Sequence, residues 1–240
     1  MKIHNVSSFS ELHEILSVYR KSNRWVFRGH ADPHWVLTPK AGREPYNKSD
    51  DLTILQAWKR RAVEYVTNAP ENDWDWLATA QHHGLATRLL DWSYNPMVAA
   101  YFATTHQYES DSHIYCYKPH KILIPQHVPP KDYDSISLFK PNGVVPRIAR
   151  QGGVFTTHGQ PNKPLGEVLH YEDELELIVI DKNYVKELGF ELNHYGINDA
   201  FTFPDLDGLS RHVNWYTENQ DYWVAQALTL DDASNISSNS

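Results

Sequence analysis

Gln81-His82-His83-Gly84-Leu85-Ala86-Thr87-Arg88-Leu89-Leu90-Asp91-Trp92-Ser93-Tyr94-Asn95-Pro96 gathers two histidines, an arginine, an aspartate, an asparagine and a tryptophan around one glycine. On its N-terminal side, Asp73 to about His82 places Trp74, Leu77 and Ala78 at helical spacing, and Gly84 is the residue type that ends such a helix. On its C-terminal side, Asn95-Pro96 predicts a second helix, with Pro96 in its first position and Val98, Ala99, Phe102 and Ala103 buried. The stretch between is read as a loop. A surface loop has little structural need for so many different hydrogen-bonding side chains, whereas a pocket that holds a polar ligand from several directions does. The competing reading is a structural ion pair between Arg88 and Asp91 beside solvated histidines.

Working outward, Asp51 to about Asn68 repeats Leu52, Leu55, Trp58, Ala62 and Tyr65 at helical spacing behind Ser49 or Asp50 as cap. Trp25 to Gly29 reads as a strand, His30 to His34 as a turn, and Trp35 to Thr38 as a second short strand. A helix capped by Ser8 or Ser10 runs to about Arg20, with Glu11 in its first turn. Beyond the central stretch, His113 to Tyr117, Val154 to Thr157 and Leu175 to Ile180 predict strands. Helices are expected over about Lys182 to Leu192 and Leu209 to Glu218, the latter behind Asp205 or Asp207 as cap. Pro119 to Pro146 is turn-rich and is expected to be a surface excursion. The irregular alternation implies an α+β fold: a single compact domain over 1–230, with a central mixed or antiparallel sheet flanked by helices and a flexible polar tail over 231–240.

The composition, 41% hydrophobic and 22% charged, is that of a soluble globular chain, with no apolar run long enough to span a bilayer. The first residues lack the apolar core of a secretory signal, so a cytoplasmic location and no membrane partner are expected. A net charge of −8 argues against broad electrostatic binding of nucleic acid but leaves room for a local basic pocket of Arg24, Arg28, Arg88, Arg147 and Arg150. The single cysteine, Cys116, reads as a buried strand residue.

Fourteen histidines invite a metal site, yet no pair has ligand spacing on a regular element, so none is expected. No Gly-x-Ser-x-Gly elbow, Walker loop or dinucleotide fingerprint is present. What remains is an arginine-centred pocket. Arg28, ending a strand and followed by Gly29, presents a planar fork suited to a phosphate or ribose, or else forms a structural ion pair, with Asp91 as the candidate partner. Further ligand-binding candidates are His82, His83, Arg88, Asp91, Trp92 and Asn95, together with Arg147 and Gln151 ahead of the strand at Val154.

Phe27-Arg28-Gly29, the stretch from Gln81 to Pro96, Ala99-Ala100-Tyr101-Phe102-Ala103, Arg147-Ile148, Gln151-Gly152-Gly153-Val154-Phe155 and Phe203-Pro204-Asp205-Leu206-Asp207-Gly208 resemble the FRG domain family, over about 25–212. That family is known mainly as a pattern in bacteria and their phages, often without an assigned activity. A weaker similarity to mono-ADP-ribosyltransferases implies an NAD-binding protein of that fold type, a toxin or phage-defence effector, with NAD as co-substrate and no metal. The same similarity implies catalytic places for Arg28 on an early strand, Thr87 as the hydroxyl-bearing residue and Glu176 as the late acid. A departure stands out: Glu176 lies inside an apolar strand pattern rather than in a clear acidic motif. The alternative is a non-catalytic nucleotide or RNA sensor, and the residues name no acceptor, protein or nucleic acid.

Overall fold

Seven segments pair into one mixed sheet: Lys2–Val6 (β1), Val26–His30 (β2), Leu89–Ser93 (β3), Ser112–Lys118 (β4), Ile136–Phe139 (β5), Gly153–His158 (β6) and Glu174–Ile180 (β7), in the order β1-β7-β4-β2-β3-β6-β5. The computed structural model describes residues 1–105, 109–142 and 151–222. Among the named strands β1 and β7 pair in parallel, and the other pairs are antiparallel. With helices interspersed irregularly, the fold is α+β. The chain divides into two compact units, Met1–Ile197 and a second unit from Asn198.

In the first unit the helices are Phe9–Tyr19 (α1), Asp51–Ala62 (α2), Asp73–His82 (α3), Pro96–Ala103 (α4) and Lys182–His194 (α5). Ser8, Asp50, Asn72, Asn95 and Asp181 cap them, each side chain accepting from a backbone N–H of the first turn that the helix cannot satisfy itself. The second unit holds Asp199–Thr202 (α6) and Leu206–Glu218 (α7), and Asp205 caps the latter by accepting from Gly208 N at 2.7 Å.

Leu55, Trp74, Leu77, Leu89, Phe139 and Phe155 form a core joining α2 and α3 to the β3-β6-β5 side of the sheet. On the opposite face Val26, Trp92, Tyr117 and Val154 pack under Leu37 and Leu165, which arrive on irregular segments. Gly29 carries α4 on the sheet: a Cβ there would lie 1.9 Å from Ala99 O, so only hydrogen allows the helix to approach so closely.

Four expectations are corrected. The stretch read as a loop contains β3. Trp35 to Thr38 is not a strand; its role is to bring Leu37 down as a buried cover. The Pro119 to Pro146 excursion contains β5, which completes the sheet beside β6. The helix begun at Asp51 stops at Ala62, because Val63 (55% exposed) and Tyr65 (84% exposed) have nothing to pack against.

Candidate functional site

The sheet is nearly divided between β2 and β3, whose register consists of the single pair Phe27↔Ser93. On the other side of β3 the ladder is complete from Leu89↔Thr157 to Ser93↔Gly153. His158 N donates to Arg88 O, and Tyr94 N to Gly152 O, so the even-numbered residues of this strand bond toward β6. The main-chain groups of Leu89 and Asp91 therefore face the split, where among the described residues no strand meets them. Side chains take the strand's place. Leu89 N donates to Thr87 Oγ1 at 3.2 Å, Leu89 O accepts from Gln81 Nε2 at 3.3 Å, and Asp91 O accepts from Arg28 Nη1 at 2.7 Å.

Arg28 thus bridges the split from β2. Its Nε donates to His30 Nε2 at 3.0 Å, and Nη1 lies 3.6 Å from Asp91 Oδ2. Among the described residues Nη2 has no hydrogen-bond partner. The Arg28 side chain is a fifth exposed and the Asp91 side chain 58% exposed, so the pair opens to solvent. Burial lowers the Arg28 pKa and the nearby Arg43 lowers it further, while Asp91 opposes both. Arg43, exposed as a residue, turns its Nε and Nη2 onto Thr38 O, at 2.7 and 2.5 Å.

Two histidines near Arg28, His30 and His158, are driven toward the neutral form. Burial, then the Arg28 charge, pushes His30 down to about 3, against a hydrogen bond to Trp35 O that works the other way. The same two causes push His158 down to about 3. Its Nε2 meets Thr156 Oγ1, which also accepts from Trp92 Nε1, while its buried Nδ1 has no partner among the described residues. Tyr115 and Trp35 stand edge-on to His30, at ring separations of 5.1 and 5.9 Å.

Of the expected site residues, Arg28 and Asp91 come together. Thr87 is 1% exposed, and its hydroxyl donates to Gln81 Oε1 at 2.6 Å, so it supports the site from inside rather than facing a ligand. Arg88 is elsewhere: Nε and Nη2 clamp the buried Asp51, Nη1 reaches Pro130 O, and its side chain lines a separate cleft of about 520 Å³ beside α2. The proposed Arg88–Asp91 pair is therefore replaced by Arg88–Asp51 and Arg28–Asp91. Trp92 is a core residue against Tyr117, and Asn95 caps α4. His82 and His83 close α3, with their rings edge to face at 4.9 Å. Gln151 supplies its main-chain oxygen to Ser93 Oγ at 2.5 Å. Arg147 lies outside the described residues, as do Arg150 and the 231–240 tail.

Glu176 is not brought to Arg28. Phe27, Cys116 and Glu176 are register partners on one face, while Arg28, Tyr115 and Leu177 are partners on the other, with β4 between β2 and β7. Glu176 is occupied there by Tyr19 OH at 2.8 Å and His4 Nε2 at 3.1 Å. Gln81, His30, Arg43 and His158 were not singled out as site residues. Gln81 opens the quoted stretch and His30 follows the Phe-Arg-Gly tripeptide, so adjacency to the motif was the available signal for both. Nothing local marks Arg43 or His158.

Among the described residues no group of three or more His, Cys, Asp or Glu is arranged to hold a metal ion, and no helix is long and apolar enough to cross a membrane. No curated protein and no solved structure matches the chain. The family model of the FRG domain matches residues 23–112, which run from β2 through the split and α4 to the start of β4. The two later motifs, around Gln151 and Phe203, fall beyond that match. The residues that build the Arg28–Asp91 site, Gln81 and Thr87 included, all lie within the stretch over which the chain matches the FRG domain.

Proposed function

We propose that the Arg28 site binds the phosphate of a nucleotide, with NAD as the first candidate. The observation that carries this reading is that Arg28 does not spend its hydrogen bonds on its counter-charge. Its two hydrogen bonds go to uncharged acceptors, His30 Nε2 and Asp91 O, and the one carboxylate nearby stands off at 3.6 Å. A second guanidinium, Arg43, adds to the same positive field. A partly buried fork with one amino group unengaged is a ready acceptor of phosphate oxygens.

ADP-ribosyl transfer or NAD hydrolysis needs, beyond binding, a group to stabilise positive charge on the ribose as nicotinamide leaves. The engagement of Glu176 by Tyr19 and His4, away from Arg28, favours a second reading, a nucleotide or RNA sensor that binds without turnover. A toxin or defence effector acting through NAD requires the turnover. Calorimetric titration of the full chain with NAD, ADP-ribose, ADP and short RNAs, alongside an assay for released nicotinamide, separates these readings. Binding is expected to weaken by about tenfold or more in both Arg28→Ala and Arg43→Ala, the loss typical of a charge-assisted hydrogen bond. Arg43 lies outside the sheet, so its variant tests the positive field without altering a residue of β2. Absence of binding by every ligand to the folded chain overturns the proposal.

A further inference from the structure

Asp91 is held in a way that a structural ion pair does not require. The same molecule shows what such a pair looks like. Arg88 clamps Asp51 through Nε to both carboxylate oxygens and Nη2 to Oδ1, with side chains 8% and 3% exposed. Arg28 instead spends its nearer hydrogen bond on the main-chain oxygen of Asp91, leaving the carboxylate 3.6 Å away and 58% exposed. Yet that carboxylate is not left to rotate. Gln81 Nε2 donates to Oδ2 at 3.0 Å. Gln81 is itself oriented by the Thr87 hydroxyl, whose one proton goes to Oε1 at 2.6 Å and whose oxygen accepts from Leu89 N at 3.2 Å. A buried threonine thus fixes which end of the glutamine amide faces Asp91. One oxygen of an exposed carboxylate is pinned, and Oδ1 has no hydrogen-bond partner among the described residues.

We infer that Asp91 Oδ1 accepts a hydrogen bond from a sugar hydroxyl of the bound ligand, so that the site selects a ribonucleotide over a deoxyribonucleotide or a bare phosphate, with Gln81 and Thr87 as positioning residues. This rests on the reading of Arg28 as a phosphate site. A carboxylate beside an anion-binding fork repels a simple anion and favours one that also brings a hydroxyl donor. The ionised acid accepts only, so the group it recognises must donate. Ribose phosphates meet both demands within one ligand.

The probes are ADP, 2′-deoxy-ADP, 3′-deoxy-ADP and inorganic pyrophosphate, titrated into the full chain by calorimetry. ADP is expected to bind on the order of tenfold or more tightly than one of the deoxy analogues, as befits a hydrogen bond to a charged acceptor. In Asp91→Asn the ratio between ribo and deoxy ligands collapses while pyrophosphate affinity is kept or rises. Thr87→Val lowers the ratio and Thr87→Ser restores it, a pattern that loss of packing alone does not produce. If ADP and both deoxy analogues bind the wild-type chain equally, hydroxyl selection is overturned and phosphate binding by Arg28 stands. If neither ADP nor pyrophosphate binds, both readings fall together. The wild-type comparison needs no variant to fold.

Discussion

His30 bonds through both ring nitrogens, and its partners admit one protonation state. Trp35 O only accepts, so Nδ1 carries the proton; Arg28 Nε only donates, so Nε2 must be bare. A protonated His30 would set a second cation against Arg28, which with burial explains a pKa of about 3. His158, 1% exposed like His30, is also pushed to about 3. Both folded values lie below the value near 6.5 of an unfolded histidine. Their contribution to stability is therefore complete above about pH 6.5 and is lost as the pH falls toward 3, because the unfolded chain takes up two protons that the folded chain refuses. Between pH 6 and pH 5 the free energy of unfolding is expected to drop by about 2 kcal/mol. Urea titrations at the two pH values check this, and His158→Gln should remove about half of the difference. Equal stability at pH 6 and pH 5 contradicts neutral, buried imidazoles.

Where β2 meets α4, the glycine of the Phe-Arg-Gly tripeptide has a packing reason to be there. An added Cβ would stand 1.9 Å from Ala99 O and 2.6 Å from Ala103 N, both backbone atoms that cannot step aside without moving the helix. Gly29→Ala should cost roughly 3 kcal/mol, the upper range for overpacking. Gly84→Ala meets no atom within 4 Å, but its φ of +88° is poorly tolerated by a side chain, so about 1 kcal/mol is expected. Thermal melts of the two variants rank the causes, and a larger loss at Gly84 would refute the close-approach argument. The elements that periodicity reveals are those with one clear apolar stripe or a cap. α3 with its Gly84 stop, α4 with Pro96 at its start, and β4, β6 and β7 all fall close to where the pattern places them. β3 escapes because Leu89, Leu90, Trp92 and Ser93 are all buried, so the segment has no alternation and its polar neighbours look like a loop. β1, Lys2-Ile3-His4-Asn5-Val6, is an edge strand with only Val6 buried, and its partner β7 lies more than 160 residues away, as in the pairing of His4 with Ile178. The site shows the same limit. Arg28 and Asp91 were legible as chemistry, whereas Arg88 and Glu176 were misplaced because their partners, Asp51 and Tyr19, are remote in sequence.

The first unit as a whole is a sheet of two parts, β1-β7-β4-β2 and β3-β6-β5, meeting at one residue pair and bridged by Arg28. Each part has its own anchoring. The β3 part is tied to α2 by Arg88, whose main-chain N also donates to Asp51 Oδ2 at 3.0 Å, so a single carboxylate holds both the backbone and the side chain at the start of the strand. Removing that acid leaves an arginine side chain 8% exposed with no full counter-charge, since Asp50 lies 3.7 Å away and is more than half exposed. Asp51→Ala should destabilise the unit by about 3–5 kcal/mol, as breaking a buried pair from one side does. At roughly 2–4 °C per kcal/mol for a chain of this size, the melting temperature should fall by on the order of 10 °C. The double variant Asp51→Leu with Arg88→Met removes both charges and should recover much of the loss. Because the pair lies outside the split, ligand affinity at the Arg28 site, measured well below the melting point, should change by less than about twofold. A strong loss of affinity in the folded double variant would instead return Arg88 to the binding site, and a small change in melting for Asp51→Ala would show that the clamp is not what fixes β3 to α2.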